Sequence, residues 1–305
     1  MKYITFKNDK ISKLSLGTVQ FGLDYGIANT SGKPSQKDVT EIINYVTNNG
    51  INCFDTAQGY GDAEKVLGNS LPNNKNLFIV SKVESSLFRT NIQANISTSL
   101  KNLNIDSLYA LLLHDSKILH DWKENDSLIV DNLIKNSKIK HFGISIYTSE
   151  DFNLAIENDK INFIQIPFNI FDQRAIKEDW FHRAKEKNKL ISIRSIYLQG
   201  LLLMEKDKIP PQLQSVKKHL DTLNAFAKEL HITKNELALS FVDTVAQNSL
   251  ILFGCDNINQ AKENIQNYKN IKKLDHDMIT KIIANFENIE EEIYNPIRWS
   301  KWQNK

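Results

Sequence analysis

Between Phe54 and Gly68 the chain reads FDTAQGYGDAEKVLG, directly after the apolar residues INC. An apolar run ends on a carboxylate, Asp55, crosses a turn holding Gly59 and Gly61, and opens into the helix-like segment DAEKVLGNSL. That order is one strand–loop–helix unit. Tyr60 sits on the loop, five residues after Asp55. A polar group at a strand exit, with a tyrosine on the following loop, is where an α/β enzyme keeps its chemistry.

Outward from this unit the same pattern repeats. Short apolar runs occur at LSLGT (14–18), INCFD (51–55), LFIVSK (77–82), SLYALLLH (107–114), IKHFGIS (139–145), INFIQIP (161–167), LISIRS (190–195) and LILFG (250–254). They are continuous rather than alternating, which marks strands buried on both faces. Helical spacers separate them. In SQKDVTEIINYVTNNG, Val39, Ile42, Ile43 and Val46 form one stripe, Ser35 is the expected N-cap, and Gly50 follows the end. NIQANISTSLKNLN and DSLIVDNLIKNSK read alike, and Thr148 or Ser149 caps SEDFNLAIEN. Between the last two strands, SVKKHLDTLNAFAKELH and KNELALSFVDTVAQ supply extra helices.

Eight strands alternating with helices predict a parallel sheet closed into a (β/α)8 TIM barrel, with an open doubly wound sheet as the competing architecture. YITFKNDKISKL predicts a β-hairpin turning at Asn8-Asp9 and capping one barrel end. HDMITKIIANFENIEEEI predicts one C-terminal helix, with the tail NPIRWSKW over the barrel mouth. No linker interrupts the pattern, so residues 1–305 read as a single domain.

Composition excludes several functions. Hydrophobic residues make up 41% and charged residues 24% of the chain, ordinary values for a globular domain. Lys plus Arg (38) nearly balances Asp plus Glu (36), which argues against a nucleic-acid or membrane-surface protein. The two cysteines, Cys53 and Cys255, adjoin apolar runs and read as buried hydrophobes in a reducing cytoplasm. MKYITFKNDK has no apolar signal core, and no run reaches the roughly 18 residues of a membrane span.

A barrel carries its active site at the C-terminal strand ends. Read in order, those ends are Gly17-Thr18, Asp55, Lys82, His114, Ser145, Gln165, Arg194-Ser195 and Gly254. Asp55 can pair with Lys82, and an ammonium beside Tyr60 is expected to lower a phenol pKa that is ordinarily about 10. Tyr60 then serves as general acid or base, and His114 orients a substrate oxygen. A lone histidine with scattered carboxylates does not make a metal site. His120, His141, His182 and His231 have no evident chemical partner; Trp122, Trp180, Trp299 and Trp302 read as packing residues.

The segments GTVQFG, FDTAQGYGDAEKVLG, VSKV, LLLHDS, HFGIS and IQIPFN, in this order, resemble the aldo-keto reductase superfamily over about residues 11–270. The resemblance implies a catalytic tetrad of Asp55, Tyr60, Lys82 and His114. It implies NADPH or NADH bound at the strand-exit rim, and hydride transfer to a carbonyl carbon. Further cofactor contacts are implied at Gly17, Thr18, Ser145, Gln165, Arg194, Ser195, Gly254, Gln260 and Asn264. Four positions depart from the family pattern. Ile146 stands where an asparagine is common. Arg194 stands where an aromatic stacks on the nicotinamide, a stack a guanidinium plane can also make. Gly254 and Gln260 stand where basic residues hold a 2′-phosphate, while Lys262 faces elsewhere, so NADH is expected to serve as well.

GTVQFGLDYGIAN and RSIYLQGLL look like a bacterial subgroup associated with cell-surface sugars, which implies a small-molecule sugar carbonyl as substrate. Gln20, Asp24, Tyr25, Gln58, Asn169 and Gln199 are the candidate contacts. Two alternatives stand beside reduction: redox-neutral sugar chemistry on a tightly bound NAD(P), and a non-catalytic cofactor-binding subunit.

Overall fold

The structure, a computed structural model, describes residues 1–72 and 76–299. Its centre is a closed barrel of eight parallel strands. Two antiparallel strands, β1 (Tyr3–Phe6) and β2 (Asp9–Ser12), precede it. The barrel strands are β3 (Leu14–Gly17), β4 (Cys53–Asp55), β5 (Phe78–Val83), β6 (Leu108–Leu113), β7 (Ile139–Ser145), β8 (Phe163–Pro167), β9 (Leu190–Arg194) and β10 (Leu250–Phe253). Closure comes from β10, which pairs with both β3 and β9. Each coincides with one of the apolar runs, β5 alone reaching one residue further to Val83, and the open-sheet alternative is excluded.

The helices are α1 (Gln36–Asn48), α2 (Ala63–Gly68), α3 (Ser85–Leu103), α4 (Glu124–Lys135), α5 (Ser149–Glu157), α6 (Arg174–Lys177), α7 (Trp180–Glu186), α8 (Lys217–Glu229), α9 (Lys234–Val245), α10 (Ile258–Lys269), α11 (His276–Phe286) and α12 (Glu291–Tyr294). Ser35 caps α1 in a reciprocal capping box with Asp38, and Thr148 caps α5.

Two hydrophobic cores explain the continuous apolar runs. Alternate strand residues, among them Leu16, Phe54, Ile79, Leu111, Ile144 and Ile164, pack outward against the helices. The intervening residues, among them Cys53, Val80, Leu112 and Phe163, fill the barrel, and Ile4, Phe6 and Ile11 of the hairpin plug its floor. Since side chains alternate along a strand, the residue two places beyond each interior apolar one also faces inward. Those residues are Asp55, Lys82, His114 and Gln165. The apolar interior therefore ends in a polar layer at the strand exits.

Four expectations need correction. The hairpin turns at Lys7-Asn8, because Phe6 pairs with Asp9. That register keeps Ile4, Phe6 and Ile11 on the barrel side, and a one-residue slip would expose them. Helix α3 begins at Ser85, earlier than the apolar pattern from Asn91 indicated; its backbone is non-helical at Asn91, and Ser85 is held by Asp115. The C-terminal helix is broken into α11 and α12. Lys177 Nζ takes the Glu287 carbonyl at 2.6 Å, which a continuous helix would need for its own ladder. Up to Trp299 the tail packs back on α12, with the indole Nε1 donating to the Glu292 carbonyl at 2.7 Å, and it does not line the barrel mouth. Trp302 lies outside the described residues.

Candidate active site

The strand register sets the first contact. Asp55 on β4 pairs with Val80 on β5, so Lys82 stands one inward step further along the same wall. Lys82 Nζ lies 2.5 Å from Asp55 Oδ1, 2.9 Å from the Thr56 carbonyl and 3.3 Å from Tyr60 Oη. An ammonium has three protons, and these are three acceptors. The Tyr60 oxygen thus accepts from Lys82, leaving its own hydrogen free for another acceptor. Gln165 Nε2 donates to Asp55 Oδ2 at 2.8 Å and fixes the carboxylate from the opposite side. The His114 ring stands edge-on to Tyr60, with centroids 5.4 Å apart.

Glycines bring Tyr60 to this point. A side chain on Gly22 would meet the Tyr60 carbonyl at 1.7 Å. Gly61 has a φ of +59°, and a side chain there would meet the Gly22 carbonyl at 2.5 Å. The tyrosine loop and the segment after β3 therefore lie backbone against backbone. This is the reason for glycine beside Tyr60 in FDTAQGYG.

The electrostatics depart from the sequence expectation at Tyr60. Burial pushes its phenol up, the Asp55 carboxylate adds to that, and only Arg194 acts downward to a visible extent. Lys82, paired with Asp55 at 2.5 Å, is not among the largest influences on it, and burial with Asp55 sets the net direction. Burial also lowers the Lys82 pKa against the pull of Asp55. Burial, with the Lys82 and Arg194 charges, lowers His114 to about 4, so the imidazole is neutral at pH 7.

Above these groups opens a cavity of about 730 Å³. Tyr60, Asp55, Gln165 and Arg194 line its catalytic end. Gly17, Thr18, Gln20 and Gly254 line the wall formed by the ends of β3 and β10. Ser195, Gln199, Gln260 and Asn264 line the rest, with Tyr25 closing one side. Other candidates lie elsewhere. Asp24 is exposed and holds the Lys33 amide at 2.8 Å. Asn169 braces a loop, donating to the Ser195 carbonyl and accepting from the Phe171 and Asp172 amides. Gln58 turns to α3, bonding the Asn95 carbonyl and Ser99. These three side chains are spent on the fold. Ser145 is buried at the end of β7 and is not part of the cavity wall.

Arg194 already has a flat partner within the chain. Its guanidinium carbon lies 3.9 Å from the Tyr147 ring centroid, and one nitrogen donates to the Ile146 carbonyl at 3.0 Å. Sequence reasoning missed Tyr147, whose only signal was its place two residues after Ser145. It also missed Tyr197 and Asn235, whose oxygens lie 2.6 Å apart, and Asp256, a cavity carboxylate whose pKa burial raises. His120 has a partner after all, Asp151 at 2.8 Å. No group of three or more His, Cys, Asp or Glu that could hold a metal occurs among the described residues.

The cavity suits a nicotinamide dinucleotide. The Gln20 Oε1 acceptor on its wall is buried without a partner. Gly254, also on this wall, has no side chain to crowd it; one there would press on the Gln20 amide at 2.4 Å and shift its flexible end. The long helix α10 begins beside this wall, and a helix N-terminus favours phosphate.

Fold and site together define a (β/α)8-barrel enzyme with its polar centre at the strand-exit rim. The chain belongs to the aldo/keto reductase family, whose family model matches residues 13–284, and it is a nicotinamide-dependent oxidoreductase of that class. Among curated proteins it is similar to D-arabinose 1-dehydrogenase of Saccharomyces cerevisiae, with 22% identity over 97% of this chain and 96% of the relative. Among solved structures it resembles the holo form of an aldo-keto reductase from Bacillus halodurans (TM-score 0.76, 19% identity, 98% and 99% of the two chains covered). A Klebsiella pneumoniae aldo/keto reductase solved with NADP and acetate is also similar (TM-score 0.73, 18% identity, 94% and 96% covered). At these identities the structural likenesses bear on the fold.

Proposed function

We propose that the protein reduces the carbonyl of a polar, sugar-like small molecule, with Tyr60 as proton donor and Asp55, Lys82 and His114 as its supporting groups. The observation that carries this reading is the buried Lys82 ammonium, 2.5 Å from Asp55 and 3.3 Å from the Tyr60 oxygen. Lys82 stabilises negative charge at the phenol oxygen as the proton leaves, and Asp55 keeps Lys82 charged and in place. Neutral His114, beside the Tyr60 ring, donates a hydrogen bond that orients the substrate oxygen. The chemistry a nicotinamide supplies when bound is hydride exchange with carbon. Gln20, Ser195, Gly254, Gln260 and Asn264 would hold the dinucleotide along the cavity wall.

A sugar substrate is supported by the lining, where Gln20, Tyr25 and Gln199 present hydrogen-bonding groups, and by the name of the yeast relative. A reducing cytoplasm fits the two free, buried cysteines. The test is direct. Wild-type protein is mixed with NADPH or NADH and a panel of aldoses, ketoses and sugar acids, and absorbance is followed at the nicotinamide band. Carbonyl-dependent loss of that band supports reduction. Cofactor copurifying with the protein, with turnover but no net change in the band, would move the reading to redox-neutral chemistry.

A further inference from the structure

Of the three acceptors around Lys82, the Tyr60 oxygen is the farthest, at 3.3 Å against 2.5 Å and 2.9 Å. That is the edge of a hydrogen bond's range, so a small movement of the tyrosine loop breaks this contact first. The loop runs directly into α2, whose first residue, Ala63, donates its amide to the Tyr60 carbonyl at 3.0 Å. Where α2 lies against β5 therefore decides where Tyr60 stands. The end of α2 is packed hard on α3, since a side chain on Gly68 would meet the Asn102 carbonyl at 2.2 Å. Between its ends, Glu64 turns into the protein and is only 4% exposed. Its Oε1 accepts a hydrogen bond from the buried Ser81 hydroxyl at 2.6 Å. Ser81 directly precedes Lys82 on β5. Because side chains alternate, it faces the helices, as Ile79 and Val83 do, while Lys82 faces the barrel interior. An apolar residue at position 64 would cost less to bury. Apolar contact is non-directional, however, whereas a hydrogen bond fixes a length and an angle. Glu64 is not among the largest electrostatic influences on Tyr60 or Lys82, so its contribution is one of position.

We propose that Glu64 is a positioning residue for the reduction: its hydrogen bond to Ser81 clamps α2 to β5 and so holds the Tyr60 hydroxyl within reach of Lys82. This rests on the reductase reading and adds what keeps its proton donor in register. The clamp acts over a short span of chain, with Glu64 one helical turn beyond Tyr60 and Ser81 bonded directly to Lys82 on the opposite face of the strand. Gly22, against the Tyr60 carbonyl, bounds the loop from the other side. Releasing the clamp lengthens the 3.3 Å contact before it disturbs the shorter Asp55–Lys82 pair. The cavity wall made by Gly17, Thr18, Gln20 and Gly254 belongs to other segments, so cofactor binding is left in place.

Two measurements on the full chain test this. The first needs no turnover. Tyrosine Cζ is labelled with carbon-13, and the Tyr60 and Tyr109 resonances are assigned by their loss in Tyr60→Phe and Tyr109→Phe. In Ser81→Ala and Glu64→Ala the Tyr60 resonance should shift, while that of Tyr109, in the barrel floor, stays in place. Glu64→Gln keeps an acceptor for Ser81 and should leave Tyr60 near its wild-type position. The second measurement is single-turnover oxidation of NADPH by DL-glyceraldehyde, the smallest aldose. Ser81→Ala and Glu64→Ala should slow it about tenfold to a hundredfold, and Glu64→Gln less than about threefold, with NADPH affinity changed less than about threefold in all three. Val130→Ala opens a cavity under α4, and it should lower stability without slowing the step. A Tyr60 resonance unmoved in Ser81→Ala overturns the proposal. So does a rate loss in Glu64→Gln equal to that in Glu64→Ala, or one in Val130→Ala equal to that in Ser81→Ala. If wild type reduced neither glyceraldehyde nor any sugar of the panel, the reductase reading would fail, while the Tyr60 resonance still decided whether the clamp holds the phenol.

Discussion

At the residue scale the site turns on one buried ion pair. Lys82 is 1% and Asp55 5% exposed, so neither charge has water to fall back on. Lys82→Met should cost roughly 3–5 kcal/mol in denaturant unfolding, because it strands the carboxylate. Adding Asp55→Asn should recover most of that loss without restoring turnover; an unchanged midpoint for Lys82→Met would contradict the pairing. The buried histidines add a pH dependence. His114 and His141 are both lowered to about 4 by burial, and His141 also feels Lys7 and Lys140 against Asp9. Unfolded imidazoles bind protons near 6.5, so between about 6.5 and 4 the unfolded chain holds more protons, and stability falls as pH falls through that window. His141 packs against Phe6 and Tyr109 with neither ring nitrogen hydrogen-bonded, Nε2 lying 4.0 Å from the Asp9 carboxylate. His141→Phe should therefore flatten the fall in unfolding free energy between pH 6.5 and 4.5, and an unaltered slope would refute this. The identities of these residues were legible in the sequence; their protonation was not. The phenol was expected to be lowered by the lysine; in the fold burial and the Asp55 carboxylate push it up instead.

At the element scale the strands were readable because a strand buried on both faces leaves an unbroken apolar run, and because polar residues end each run at the rim. Boundaries set by distant contacts were not readable. The break between α11 and α12 depends on Lys177 from α6, and the first turn of α3 depends on Asp115 at the exit of β6. The packing of Gly22 against the tyrosine loop belongs to the same class, since only the pairing of β3 with β4 brings the two segments together. Gly22→Ala should push the loop away and displace Tyr60 from Lys82, lowering kcat by about a hundredfold or more with cofactor affinity changed far less. Full activity in Gly22→Ala would show that the loop position tolerates movement.

At the scale of the whole molecule, the exits of β3, β4, β8, β9 and β10 bring residues scattered from Gly17 to Asn264 around one cavity. The order of the strands made this convergence legible, though not which side chains would be spent on the fold, as Asp24, Gln58 and Asn169 are. Nor was the cavity charge. Its far end carries Asp256 near the start of α10, while Lys262 turns away to the Tyr45 ring at 5.8 Å. A carboxylate there receives a ribose hydroxyl better than a 2′-phosphate. Dissociation constants for NADH and NADPH by fluorescence should accordingly lie within about tenfold of each other, and a hundredfold preference for NADPH would contradict this. The central claim is that barrel closure delivers the Tyr60 hydroxyl to the reacting oxygen. Its most direct test is Tyr60→Phe, with carbonyl-dependent NAD(P)H oxidation and cofactor affinity measured on the same preparation. The expected result is a loss of about 10²–10⁴ in turnover with near-normal cofactor binding. Turnover equal to wild type would remove the proton-donor role and the account built on it.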